Sequence, residues 1–240
     1  MPPRTPLLRP DRYFAERESN FFRVMAVVGL LVAAGPAVVS GVGWVLAAHL
    51  DGTVLVDNPE RPPDRVCDDD TGDSSVFDGE NCDAPREVER DVGAILWDAI
   101  DEIVGPAFLA YPLALVVLTL LLHAGAWLAG ADHGFFPTFA VAAWGMVPTL
   151  LLIPVSLGLL SVMLDPVTVS PGDDPRTAIR PLLAQIRALE PYSAVLSAAT
   201  AVWGGVIWRF GRVYEQGLPG TEATVVAGLV ALLTAAAGLL

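Results

Sequence analysis

The chain has 240 residues, of which 53% are hydrophobic, with a formal net charge of −13 and a mean hydropathy of +0.54. Soluble domains of this length interrupt their apolar residues every few positions, whereas this chain has uninterrupted apolar runs long enough to cross a hydrocarbon core of about 30 Å. The numbers exclude an ordinary soluble protein and predict an all-α integral membrane protein.

The N-terminal segment, residues 1–23, is polar and carries five arginines, and we expect it to be a cytosolic tail. The apolar run from Val24 to Leu50 is longer than the roughly 7–15 apolar residues of a signal peptide, which predicts a retained first span. Two more arginines lie in the short connection 209–222. Because arginines favour the cytoplasmic side, we expect the N-terminus inside and the C-terminus outside the cell membrane.

An acidic insert follows at residues 51–91, with fourteen acidic side chains and four arginines, and it is predicted to be external and irregular apart from local turns. All basic residues of the chain are arginine. An acidic surface that stays soluble in a salt-adapted, halophilic organism explains this composition, and a loop that binds a cation or a partner is the alternative. At about 1 M salt the Debye length is about 3 Å, so the insert would not attract a partner from a distance. We find no basic patch typical of nucleic-acid binding.

Both cysteines of the chain, Cys67 and Cys82, lie in this insert. In an external loop a disulfide is the expected state, and it would close a ring of about sixteen residues worth on the order of 3 kcal/mol. A free pair or a metal site is the alternative, although two cysteines would need histidine partners and the insert has none. The run CDDDTGDSSVFDGENC does not have the ligand spacing of an EF-hand. We therefore predict no metal site and no cofactor.

Residues 92–106, VGAILWDAIDEIVGP, place apolar side chains at i+4 spacing and acidic ones on the other face, which predicts an interfacial amphipathic helix. The segment RTAIRPLLAQIRALE has a similar apolar face, with Asp174 as N-cap and Pro175 in the first helical position. Four more apolar runs bring the predicted spans to five, at about 24–50, 104–128, 139–164, 192–210 and 223–240. Prolines inside these spans are expected to kink them, among them Pro112, Pro148 and Pro154.

His123 is the one ionisable residue predicted within a span, where such residues raise the hypothesis of a proton relay or a ligand contact. The alternative is a neutral imidazole near the inner end of its helix that bonds to another helix or to headgroups. Asp132 and His133 are predicted to cap a short inner turn between two spans, as a candidate cytosolic contact. No hydrolase elbow, zinc-protease motif, dinucleotide fingerprint or phosphate loop occurs, so we do not expect an enzyme.

Small residues recur at four-residue spacing in three spans and would let helices approach closely, within one chain or in an oligomer. They are Ala33–Ala37–Gly41, Ser197–Ala201–Gly205 and Ala227–Ala231–Ala235.

Three segments carry a resemblance to a known family: PLLRPDRYF (6–14), LLLHAGAWLAGADHGFFPTFAVAAWGMVP (120–148) and WRFGRVYEQGLPGTEA (208–223). Together they resemble the Yip (Ypt/Rab-interacting protein) domain family in its prokaryotic, haloarchaeal-type form. The resemblance implies a single Yip-like membrane domain over residues 24–240, with five helices and a cytosolic N-terminus. In eukaryotes it implies an association with small GTPases and vesicle membranes, but the N-terminal segment of this chain leaves little room for a cytosolic partner domain.

Two classes of function follow. The first is a non-enzymatic protein that organises the membrane or docks membrane-protein partners, with the lipid bilayer and a second copy as further contacts. The second is a small permease, channel or transporter subunit, which should show polar residues facing a cavity or broken helices in related halves.

Overall fold

The structure is a computed structural model that describes residues 3–17, 19–63, 67, 81–131 and 134–236, apart from the side chains of residues 175 and 176. These residues form helices α1 (Pro10–Glu16), α2 (Phe21–Ala47), α3 (Val92–Ala107), α4 (Ala110–Leu128), α5 (Phe135–Met163), α6 (Pro175–Ala178), α7 (Arg180–Ala188), α8 (Glu190–Glu215) and α9 (Gly220–Ala236). They also form strands β1 (Leu50–Asp57), β2 (Glu87–Asp91) and β3 (Val167–Val169).

Four helical stretches are long and apolar enough to cross a membrane: Phe21–Ala47, Val92–Leu128, Phe135–Met163 and Arg180–Glu215. The second comprises α3 and α4, and the fourth comprises α7 and α8. Helix α9 is also apolar but has only 17 described residues. A mostly helical membrane fold is thus confirmed, whereas the count of five spans with two interfacial helices stays a prediction.

The prolines occupy two kinds of position. Pro112 is the third residue of α4, directly after the break at Phe108 and Leu109 that separates α4 from α3. Pro148 and Pro154 lie inside α5. Each of these two lacks an amide hydrogen, so the carbonyl four residues earlier loses its usual helical donor. A bend of α5 at these positions stays a prediction.

Part of the acidic insert is a β-sheet, so the prediction that it is irregular was wrong. Strand β1 pairs antiparallel with β2, from Thr53 opposite Asp91 to Asp57 opposite Glu87. Its first residues pair in parallel with β3, which follows α5, so the strand order is β2-β1-β3. The charged sequence of β2 is typical of an edge strand, because side chains such as these discourage pairing with another chain. We call this end of the bundle the sheet end.

The predicted helix after Asp174 is two short helices, because the chain breaks between α6 and α7 at Ile179. The Asp174 side chain accepts a hydrogen bond from the Thr177 hydroxyl at 2.7 Å. Leu182 of α7 packs with Val45 and Leu164 in a buried cluster that joins α2 and α5 at the sheet end.

Helix α5 packs closely against α8 through glycines. A Cβ at Gly145 would overlap the Trp208 indole, and one at Gly204 would lie 2.6 Å from the Gly145 carbonyl oxygen. Two of the predicted small-residue stripes also meet each other, because Gly205 of α8 faces Ala231 of α9. Contacts without intervening side chains bring helices together by van der Waals packing where hydrophobic drive is lacking.

The N-terminal segment packs into the bundle, which the polar sequence of residues 1–23 did not indicate. Tyr13 and Phe14 are 2% and 5% exposed, and the Tyr13 ring meets the Trp144 ring of α5 edge-on at 5.7 Å. The Trp203 indole of α8 donates a hydrogen bond of 2.8 Å to the Leu7 carbonyl. Residues 6–14 therefore lie along α5 and α8, with Pro10, Tyr13 and Phe14 buried in the bundle.

The end of the bundle opposite the sheet is here called the α1 end. The Ser19 hydroxyl donates a 2.8 Å hydrogen bond to Glu215, which joins the start of α2 to the end of α8. Gly130 follows α4 with φ of 79°, and Gly217 follows α8 with φ of 61°. These left-handed conformations favour glycine and reverse the chain directly after each helix.

Candidate functional site

Four polar side chains on α4, α5 and the end of α8 lie at the α1 end: His123, Thr138, Arg212 and Gln216. We call them the polar cluster. The Gln216 amide donates to the Thr138 hydroxyl, and the His123 Nδ1 atom lies 3.4 Å from the same hydroxyl oxygen. Thr138 is 1% exposed and Gln216 is also 1% exposed. The cluster therefore links three helices by hydrogen bonds inside the bundle.

Arg212 is the most unusual member, because its side chain is fully buried. Its two terminal nitrogens both donate to the backbone carbonyl of Leu122 in α4, at 2.8 and 2.7 Å. Within the described part of the chain it has no carboxylate partner. A buried charge is costly unless hydrogen bonds compensate for it, and bonds to charged groups are stronger than neutral ones. The guanidinium thus joins α8 to α4 at one backbone oxygen.

The position of Arg212 follows from the helical repeat of α8. Gly204, Trp208, Arg212 and Gln216 are spaced by four residues and lie on one face of the helix. This site was not expected from the sequence, because the fourth span was predicted to end at Phe210 and Arg212 to lie in the connection that follows. The signal was present in the four-residue spacing, which continues through Gln216 without interruption.

Three polar atoms along this face have no hydrogen-bond partner in the described structure: Trp208 Nε1, Arg212 Nε and Gln216 Oε1. Buried polar groups usually find partners, and each unmade hydrogen bond costs about 1–3 kcal/mol. Helix α8 packs tightly on α5 along this face although the three unpartnered atoms carry that cost.

His123, a predicted functional residue, is half-buried and belongs to the polar cluster. Its ring contacts the Phe135 ring edge-on, with centroids 5.7 Å apart. The hydroxyl beside it belongs to Thr138, which already accepts from Gln216. No set of three or more His, Cys, Asp or Glu side chains that could hold a metal ion occurs among the described residues. This arrangement of side chains can therefore connect helices by hydrogen bonds.

Several aromatic rings also lie at the α1 end. Phe21 stacks on Phe136 at 5.9 Å and meets Phe22 edge-on at the same distance. Phe22 is 80% exposed. Aromatic side chains at this position are typical of the membrane–water boundary. Asp132 and His133, which the sequence placed in this turn, lie outside the described residues.

Cys67 and Cys82 are far along the chain from the polar cluster, in the insert at the sheet end. Their sulfur atoms are bonded in the structure, with Cα atoms 5.6 Å apart, a separation that suits a disulfide.

A known protein family matches this chain. The Yip1 domain matches residues 91–240, more than half of the chain. The match contains the whole polar cluster and two of the three segments in which the resemblance was seen, whereas α1, α2 and β1 precede it. No curated protein and no solved structure matches the chain.

Proposed function

The chain belongs to the Yip1 domain family, and from this premise we propose that it organises the membrane or docks partner proteins without catalysing a reaction. Members of this family are membrane proteins that are not known as enzymes. The alternative is a small permease, channel or transporter subunit.

The observation that carries the proposal is the bonding of the polar cluster. Arg212 bonds to the Leu122 carbonyl, and Gln216 bonds to Thr138, so these buried polar groups hold α4, α5 and α8 together. In a permease such groups would face a solute pathway. Side chains that fix helices to one another instead support a rigid platform at the α1 end.

We propose the following topology for this platform. The α1 end faces the cytoplasm, and the sheet end with its acidic insert faces outwards, as the arginine distribution predicts. Helix α9 is the fifth span, since 17 residues rise about 26 Å at 1.5 Å each. Residues 92–106 and the segment after Asp174 lie at the outer interface. The acidic composition supports the haloarchaeal-type form of the family.

The partner would contact the exposed rim of the α1 end, where Phe22 lies and where Asp132 and His133 are expected. A photoreactive amino acid at Phe22 in native membranes tests this directly. Val162 is the matched control, because it is 84% exposed near the sheet end of α5. We expect one protein to be captured reproducibly from Phe22 and not from Val162. Equal capture from both positions would contradict a docking face at the α1 end.

Proteoliposomes separate this function from transport. We expect the purified chain to carry no solute across the vesicle membrane above the level of empty vesicles. A solute flux that disappears in the His123→Ala variant would establish the permease alternative and exclude the scaffold.

Orientation needs its own measurement. In a chain with both native cysteines replaced by serine, Glu222→Cys at the start of α9 should resist a membrane-impermeant thiol reagent added to intact cells. Labelling from outside would reverse the proposed topology. Treatment of the native chain with a reductant should release free thiols from Cys67 and Cys82 if their predicted disulfide forms in the cell.

A further inference from the structure

A cavity of about 470 Å³ lies mainly between α2, α5 and α8 in the half of the bundle nearer the sheet end, with Tyr111 of α4 and Ile186 of α7 also in its wall. Val38 of α2 and Leu196 of α8 line two of its walls, and Ile153 of α5 lines a third. The volume is within the range of about 300–1,000 Å³ that small-molecule pockets have. The cavity is therefore large enough for a ligand.

The same groove is filled by the chain itself nearer the α1 end. There, Tyr13 packs on Trp144 of α5, and the Leu7 carbonyl accepts the hydrogen bond from Trp203 of α8. Trp203 is one turn from Thr200, which lines the cavity. The cavity thus continues the groove in which residues 6–14 lie, and this segment is elongated and largely apolar.

Several hydroxyl groups in the cavity wall donate to backbone carbonyls of their own helices. Ser156 donates to the Leu152 carbonyl at 3.0 Å, and Thr200 donates to the Ser197 carbonyl at 2.8 Å. The Thr149 hydroxyl oxygen is buried without a partner in the described structure, and Tyr111 and Ser197 bring two further hydroxyls to the wall. A wall that consists mainly of methyl and methylene groups attracts hydrocarbon and offers little to a polar solute.

The surroundings of the cavity point to the same chemistry. Its walls belong mainly to helices of membrane-spanning length, and in the proposed topology the opening would face the hydrocarbon of the bilayer. Water in such a space would need two to four polar partners, and an empty space would lose the contacts of its lining atoms. Glu190 lines the cavity at the start of α8 and forms no ion pair within the described structure.

We propose that this cavity binds one hydrocarbon chain of a bilayer lipid, with the lipid headgroup beside Glu190. Because the carboxylate is negative, it favours a headgroup that carries a positive group over one with only negative charge. The proposal goes beyond the docking function and does not rest on it, since a lipid site and a partner surface occupy opposite ends of the bundle.

Photocrosslinking tests the proposal in the full chain. The protein is reconstituted in nanodiscs with a phosphatidylcholine that carries a diazirine within one acyl chain, and the labelled residues are mapped by mass spectrometry. We expect labelling to concentrate on cavity residues such as Ile153 and Leu196 over lipid-facing residues elsewhere. Val38→Trp and Leu196→Trp fill the cavity from opposite walls, and each should lower labelling of the remaining cavity residues roughly tenfold.

Two control variants make the result specific. Val225→Trp adds the same side chain on α9, at a position that is 55% exposed and outside the cavity, and should leave labelling unchanged. Thr149→Val removes the unpartnered hydroxyl at nearly constant shape and should also leave it unchanged, because the bound chain makes no hydrogen bond. Loss of labelling in Thr149→Val would instead indicate a polar ligand and overturn the proposal.

Further outcomes decide against the site. Labelling spread evenly over all lipid-facing helices, or undiminished in both Trp variants while they remain monodisperse, would overturn it. Crosslinks from the cavity to a peptide of a second copy would show that a protein covers it. For the headgroup, a phosphatidylglycerol with the same diazirine chain should label the cavity less than the phosphatidylcholine, and equal labelling would overturn the role of Glu190.

Discussion

The two halves of the groove between α2, α5 and α8 are built differently, although the same three helices line both. Nearer the α1 end, residues 6–14 fill the groove, Trp208 covers Gly145, and Arg212 joins α8 to α4. Nearer the sheet end, the helices enclose a cavity with side chains such as Val38 and Leu196 at its walls. Residues 6–14 of the chain occupy one half, and the other half leaves space for the proposed lipid chain from the membrane.

This difference shows how one bundle can combine a fixed region with an adaptable one. Contacts that involve backbone, such as Gly145 against Trp208 and Leu122 against Arg212, leave few alternative arrangements. A cavity lined by flexible leucine and isoleucine side chains accommodates more than one shape. We therefore expect substitutions at these backbone contacts of the α1-end half to be costly and matched substitutions in the sheet-end half to be tolerated.

The largest expected effect comes from Arg212→Ala, which removes both hydrogen bonds to Leu122 and leaves a cavity in the core. We expect the free energy of unfolding to fall by about 3 kcal/mol, as for other large-to-small changes at buried sites. Thermal unfolding in detergent, followed by tryptophan fluorescence, measures it. Arg209→Ala, which removes the neighbouring arginine and its bond to Thr224, should cost less than about 1 kcal/mol. Equal losses in both variants would refute the special role of Arg212.

Gly145→Ala compares the two halves within one helix. The added methyl group would overlap the Trp208 indole, so α5 and α8 must separate, at a cost of about 1–3 kcal/mol. Gly158 lies in the sheet-end half of α5 and has nothing within 4 Å of an added Cβ. Gly158→Ala should be neutral or stabilise by up to about 1 kcal/mol, because alanine favours the helix. The contrast fails if both variants unfold at the same temperature.

Tyr13→Ala tests whether the N-terminal filler holds its half of the groove. Removing the buried ring should release residues 3–17 locally while the spans stay folded, because the elements of a protein can open independently. Proteolysis or hydrogen exchange of this segment should increase, with a change of about 1 kcal/mol or less in global stability. Leu8→Ala is the matched control, since Leu8 is 87% exposed. A segment that stays protected in Tyr13→Ala would show that the ring does not hold it.

Trp203→Phe is expected to give the smallest effect. It removes the indole hydrogen bond to Leu7 but keeps most of the aromatic surface, so the N-terminal segment should lose about 1 kcal/mol of local stability, the value of a single neutral hydrogen bond, and global stability should stay unchanged. Hydrogen exchange at the N-terminal segment should rise slightly, and less than in Tyr13→Ala. A larger increase than in Tyr13→Ala would mean that the hydrogen bond, and not the buried ring, anchors the filler.

Some elements that were not predicted, such as α1 and β1, nevertheless have a recognisable pattern in the sequence. Pro10, Tyr13 and Phe14 are buried and have the i, i+3, i+4 spacing of a helix face, but the surrounding arginines concealed it. Strand β1 contains the run TVLV, in which three of the four residues are β-branched, and such residues favour a strand. Strand β2, EVERD, has no such signal, because its hydrogen bonds to β1 decide its conformation.

The sequence by itself determined the class of the protein, because the hydropathy of a helix is a sum over neighbouring residues and needs no knowledge of the fold. It also determined the polar insert between the first two apolar runs. Only the tertiary structure decided that Arg212 meets Leu122, that Leu7 meets Trp203 and that the groove is filled in one half alone. These contacts join residues far apart in the chain, so no local pattern specifies them, and they depend on how closely the glycines of α5 and α8 let the helices approach.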